Sequence, residues 1–121
     1  MATTDPEVFD RLRAIMAAHA GDLVVVRDEP GDYYVNSRFA RSDGYVWAFG
    51  AVQTKTRYVS YHLMPIYAAP DRLGASEALL KRMQGKSCFN FTRVDEDLFA
   101  ELDEVTGRAA RLAADRAFFP A

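Results

Sequence analysis

At 121 residues with half of them apolar, the chain has enough material for one buried core and no room for a second. Fifteen basic against seventeen acidic residues leave a net charge of −2, which offers no general attraction for a phosphate backbone or an anionic membrane, so the sequence predicts neither a nucleic-acid nor a membrane partner. There is no long uncharged apolar run and no basic region followed by an apolar stretch at the start; with a single cysteine, Cys88, a reducing cytoplasm is the expected setting.

Thr4 and Glu7 have capping-box spacing, and Val8, Phe9, Leu12, Ile15 and Met16 then recur at helical intervals until Gly21, predicting an opening amphipathic helix. Leu23 to Arg27 contains three successive valines and reads as a strand, Glu29 to Asp32 as its turn, and Tyr33 to Asn36 as the returning strand. Arg38 to Gly44 is polar and reads as a loop, Tyr45 to Gln53 as an aromatic strand, and Thr54 to Thr56 as a short hairpin connection. Arg57 to Leu63 is a fourth strand that Pro65 should end, because proline has no amide hydrogen for the ladder.

Pro70 to Gly74 is turn-like. Ser76 is placed to cap a short helix carrying Leu79, Leu80 and Met83, with Gly85 just past its end. Lys86 to Phe91 is a fifth strand. Asp95 then caps a last helix whose Leu98, Leu102, Val105, Ala109 and Leu112 share a face. The order α-β-β-β-β-α-β-α, with short links among the first four strands, predicts a single α+β domain over residues 1–121. Its antiparallel sheet has about five strands, with the N- and C-terminal helices packed on one face. The other face is left open, available to a ligand or to a second copy in a homodimer.

Strand alternation puts Tyr58, Ser60 and His62 on one side of the fourth strand and Val59, Tyr61 and Leu63 on the other; the same parity separates Cys88 and Asn90 from Phe89 and Phe91. The expected ligand-binding set is Tyr58, His62, Lys86, Cys88 and Asn90 on the open face, holding a small molecule, an anion or a protein partner, with no cofactor assigned. Lys55, Arg57, Lys81, Arg82 and Lys86 are cations expected to gather near Tyr58, Tyr61 and Tyr67. A cysteine with a histidine and an amide also has the composition of a nucleophilic hydrolase, since imidazole can take the thiol proton, but no local signature accompanies it and no catalytic residue is assigned.

With only His19 and His62 and no paired cysteines, a zinc site is not expected; His19 is explained by interaction with the C-terminus of the first helix. Asp97, Glu101 and Glu104 form a carboxylate stripe on the last helix, followed by Arg108 and Arg111, and the expected reading is a solvated, ion-paired surface rather than a metal site. GxGxxG, GxxxxGK[ST], HExxH and GxSxG do not occur.

The stretches Phe49 to Tyr67 (FGAVQTKTRYVSYHLMPIY) and Lys81 to Phe91 (KRMQGKSCFNF), together with Tyr33-Tyr34 and the helix start Asp95 to Leu102, resemble a family of small bacterial domains of unknown function. The broader grouping is similar to the YdhG-like proteins, some of them described as frataxin-like iron chaperones with helices packed on an antiparallel sheet. The resemblance implies that fold. It also implies, as an alternative function, iron or divalent-metal delivery through exposed carboxylates, for which Asp97, Glu101 and Glu104 are the comparable set here.

Overall fold

Six strands form one antiparallel sheet in a computed structural model that describes residues 6–68, 73–84 and 88–119. In chain order the elements are α1 (Pro6–Ala18), β1 (Val24–Glu29), β2 (Asp32–Ala40), β3 (Val46–Thr54), β4 (Val59–Leu63), the short helices α2 (Met64–Ala68) and α3 (Glu77–Leu80), β5 (Met83–Gln84), β6 (Cys88–Phe91), α4 (Glu96–Ala113) and a 3-10 turn, Arg116–Phe118. The strands lie in the order β1-β2-β3-β4-β6-β5, so the hairpins expected from the short links are formed and β6 returns beside β4. This is the expected α+β architecture with helices at both ends.

Alternation decides what each side of the sheet carries. The row Tyr33, Val52, Tyr61 and Phe89 runs across β2, β3, β4 and β6, and all four are buried. Against this side α1 packs Val8, Phe9, Leu12 and Met16, and α4 packs Phe99, Leu102, Val105 and Ala109, giving one continuous apolar cluster. Contact between α1 and β3 is close at Gly50. A Cβ there would lie 2.5 Å from the His62 carbonyl oxygen of neighbouring β4 and 2.7 Å from Met16 Cε, so a residue without a side chain lets the β4 backbone and the end of Met16 approach this closely. A polar link crosses the core: the hydroxyls of Tyr61 and Thr106, both fully buried, are 2.6 Å apart and tie β4 to α4. Burial pushes the Tyr61 phenol well above its ordinary value.

Several elements depart from the sequence expectation for identifiable reasons. Residues 38–40, expected in a loop, continue β2, because Ala40 pairs with Val46 across an irregular register. After Leu63 the chain turns directly into α2; Pro65 sits in its first turn, where no amide donor is needed. Met83 lies in β5, which pairs with β6, and not on the helix that Ser76 caps, which ends at Leu80. On α4 it is Phe99 rather than Leu98 that is buried, while Leu98 and Leu112 are half-buried at the rim. The Thr4 cap, Pro70 and Gly85 lie outside the described residues.

Candidate functional site

The open face is built from the residues that alternate with the core rows. Directly behind Tyr33, Val52, Tyr61 and Phe89 stands a second row, Tyr34 on β2, Ala51 on β3, His62 on β4 and Cys88 on β6, each the cross-strand partner of the next. Beside it runs a third row of polar residues, Asp32, Gln53, Ser60 and Asn90, in the same four strands. Row two and the Gln53, Ser60 and Asn90 of row three line a concavity of about 380 Å³, closed at one end by Lys55 and Tyr58 from the β3–β4 connection. Its floor is Ala51 and Ser60, only 5% and 8% exposed because the larger side chains on either side stand above them.

Four of the five expected ligand-binding residues, Tyr58, His62, Cys88 and Asn90, line this one concavity. The fifth, Lys86, lies outside the described residues. His62 and Cys88 are in contact, with Nδ1 and Sγ 3.2 Å apart, a geometry that follows from their being opposite one another in antiparallel β4 and β6. Burial lowers the His62 pKa below its ordinary value, since removing water disfavours imidazolium; the ring that meets Cys88 at neutral pH is therefore the uncharged one.

Of the other cations and tyrosines expected to gather here, Lys55 lines the concavity but Arg57, Lys81 and Arg82 do not. Tyr61 points the other way, fully buried in the core, as the parity of β4 requires. Tyr34, Ala51 and Gln53 were not expected. Their own strands show the alternation that aims them outward, but only the register of β2 against β3 and β3 against β4 sets them beside His62.

A chain of hydrogen bonds controls the charge at the rim. Arg27 Nε donates to Asp32 Oδ2 at 2.7 Å, Gln53 Nε2 donates to Asp32 Oδ1 at 3.2 Å, and Lys55 Nζ donates to Gln53 Oε1 at 3.1 Å. The Arg27 guanidinium holds the Asp32 carboxyl below the usual carboxylate range, with Gln53 adding to the effect. Asp32 is thus compensated by Arg27, and the only formal charge among the described lining residues is the Lys55 ammonium.

The carboxylates of α4 are arranged differently from a cation site. Glu101 turns back to the start of α3, accepting from Ser76 N at 2.5 Å and Ser76 Oγ at 2.6 Å, and Ser76 Oγ in turn accepts from Leu79 N. Arg108 Nε donates to the Leu73 carbonyl at 2.8 Å. His19, expected to serve the end of its own helix, instead reaches across to Asp103 at 2.7 Å and lies against Gly107, so it joins α1 to α4. Among the described residues no group of three His, Cys, Asp or Glu side chains could hold a metal ion, and no helix is long and apolar enough to cross a membrane. No protein-family model, curated protein or solved structure matches the chain.

Proposed function

We propose that the chain is a non-enzymatic binding module that takes a small molecule into the concavity on the open face of its sheet. The observation that carries this reading is the convergence of Tyr58, His62, Cys88 and Asn90, which come from the β3–β4 connection, β4 and β6, on one hollow whose floor is nearly buried. Its size lies within the range of small-ligand pockets, and it combines apolar walls with a few directed polar groups. A thermal-shift screen of metabolites at millimolar concentration tests it. A ligand that binds the folded state raises its stability as the ratio of concentration to Kd grows, and His62→Ala and Asn90→Ala should abolish the shift. A screen without hits, or hits that both variants retain, would count against it.

A second reading, in which Cys88 is a nucleophile and His62 its base, draws on the 3.2 Å contact between them. The lowered His62 pKa opposes it, because a desolvated imidazole is a weaker proton acceptor than an ordinary one. An iodoacetamide reaction rate that stays high well below pH 7 and collapses in His62→Gln would favour the enzyme. The YdhG-like resemblance brings with it metal delivery, but Glu101 of the comparable carboxylate set is engaged by Ser76, so this reading gains no support from the arrangement of α4.

A further inference from the structure

We infer that the ligand of this concavity is a flat aromatic carboxylate whose ring enters the slot between Tyr34 and His62 above Ala51 and whose anionic group meets Lys55. The inference rests on the binding-module reading and adds to it the shape and charge of the ligand.

Shape comes first. In the row Tyr34, Ala51, His62, Cys88, three positions carry large or polarizable side chains and one carries a methyl group. Neighbouring strands are about 4.8 Å apart, so Tyr34 and His62, two strands from one another, rise from backbones roughly 10 Å apart with only the Ala51 methyl between them. A planar ring needs about 3.5–4.0 Å to each wall, so such a gap admits one flat ring and little else. Both walls are themselves π systems. Tyr34 is held on its other side by Arg27, whose guanidinium carbon lies 4.8 Å from the ring centroid, so this wall is braced.

Charge comes second. Asp32 is compensated by Arg27, His62 is uncharged at neutral pH, and no carboxylate lines the hollow among the described residues, so the formal charge that the described lining brings to the concavity is the positive charge of Lys55. Lys55 Nζ spends one of its three hydrogens on Gln53 Oε1, which fixes the ammonium at the rim and leaves two for an anion. Ser60 and Asn90, on the same side of the hollow as Tyr58, add neutral hydrogen-bonding groups that suit a carboxylate and its ring substituents. A cationic or strongly hydrated polyanionic ligand lacks a match in this set.

The test uses three probes of similar size: 2-naphthoate, its neutral amide, and the saturated decalin carboxylate. Binding is followed by amide NMR shifts and calorimetry at pH 7. The expected result is that 2-naphthoate binds at least about tenfold more tightly than either control, because a charge-assisted contact and the ring faces each contribute on that scale. Shifts should centre on Tyr34, Ala51, Ser60 and Asn90. Lys55→Met should weaken the naphthoate about tenfold without weakening the amide, and Ala51→Leu, which fills the slot from its floor, should abolish binding while the spectrum remains that of a folded protein.

Equal affinity for the amide, equal affinity for the decalin, or shifts centred on the helices would overturn the inference. If Ala51→Leu does not fold, the Lys55→Met comparison and the two control probes decide alone. Should none of the three bind while a compound of another class perturbs the same amides, the aromatic carboxylate is wrong and the binding-module reading stands. Absence of any binder at this face refutes both.

Discussion

Replacing Tyr61 by phenylalanine probes the sorting of side chains on which the site depends. Tyr61 and His62 are consecutive in β4 and point to opposite sides, one into the core and one into the open concavity. Tyr61→Phe removes one hydroxyl and leaves the Thr106 hydroxyl, fully buried and 2.6 Å from its present partner, without that bond. Orphaning a buried hydroxyl costs about 1–3 kcal/mol. Thr106 lies inside α4 and can turn its hydroxyl to the carbonyl four residues before it, which reduces the penalty, so the expected loss is about 1–2 kcal/mol.

For a domain of this length that corresponds to a fall in Tm of roughly 4–8 °C. Thr106→Val should cost a similar amount for the complementary reason. The double variant, which removes both hydroxyls together, should cost about 1 kcal/mol less than the sum. Circular dichroism melts and urea titrations at pH 7 measure all four corners of this cycle. Because the change is made on the core side, the alkylation rate of Cys88 in Tyr61→Phe should equal that of the parent. Additive losses, or a Tyr61→Phe cost of only a few tenths of a kcal/mol, would refute the buried pairing; a changed Cys88 rate would refute the separation of the two faces.

Stability should also depend on His62 protonation. Its folded pKa lies below the unfolded value of about 6.5, so between the two the unfolded chain binds more protons. The contribution of His62 is therefore fully present above about pH 6.5 and is lost as the pH falls toward the folded value. Urea titrations over this range, compared with His62→Gln, should show that the variant loses this part of the slope; identical slopes would contradict the desolvated imidazole. Gly50→Ala should lower Tm by several degrees, because the added methyl group meets the backbone carbonyl of His62 at 2.5 Å and β4 must shift against β3. A melt unchanged from the parent would show that the approach of β4 to β3 at Gly50 is looser than described.

Much of this arrangement was legible in the amino-acid order, and the parts that were not share a cause. Period-two alternation in Arg57 to Leu63 separated His62 from Tyr61, and the parity of Cys88 and Asn90 placed both on the outward side, because one face of the sheet had to be apolar. Which outward residues become neighbours depends on register between strands, and alternation within one strand is silent about that. Tyr34, Ala51 and Gln53 were therefore missed, and Tyr61 was grouped with an anion site although its parity sends it to the core.

The length of β2 was hidden for a related reason. Arg38 to Gly44 is polar as a whole and reads as a loop, and pairing of Ala40 with Val46 overrides this for its first three residues. The α4 stripe reads as a solvated, ion-paired surface, and periodicity within one helix does not show that Glu101 meets Ser76, which is 25 residues away in sequence. Helix periodicity placed Leu98 inward, but Phe99 is the residue that packs edge-on against Phe91, with centroids 5.1 Å apart.

The most direct measurement of the central claim, that ligands enter this concavity, uses the one cysteine of the chain, which lines the concavity on the far side of His62 from Ala51. Cys88 alkylation by iodoacetamide is followed by mass spectrometry with and without a saturating concentration of the best thermal-shift ligand, in the folded protein and in urea. A ligand that fills the concavity as far as Cys88 and Asn90 should slow alkylation at least about tenfold in the folded protein, as expected when the rate follows the small fraction of open sites, and leave the rate in urea untouched. An unchanged rate in the folded, saturated protein would place the ligand elsewhere and contradict the account.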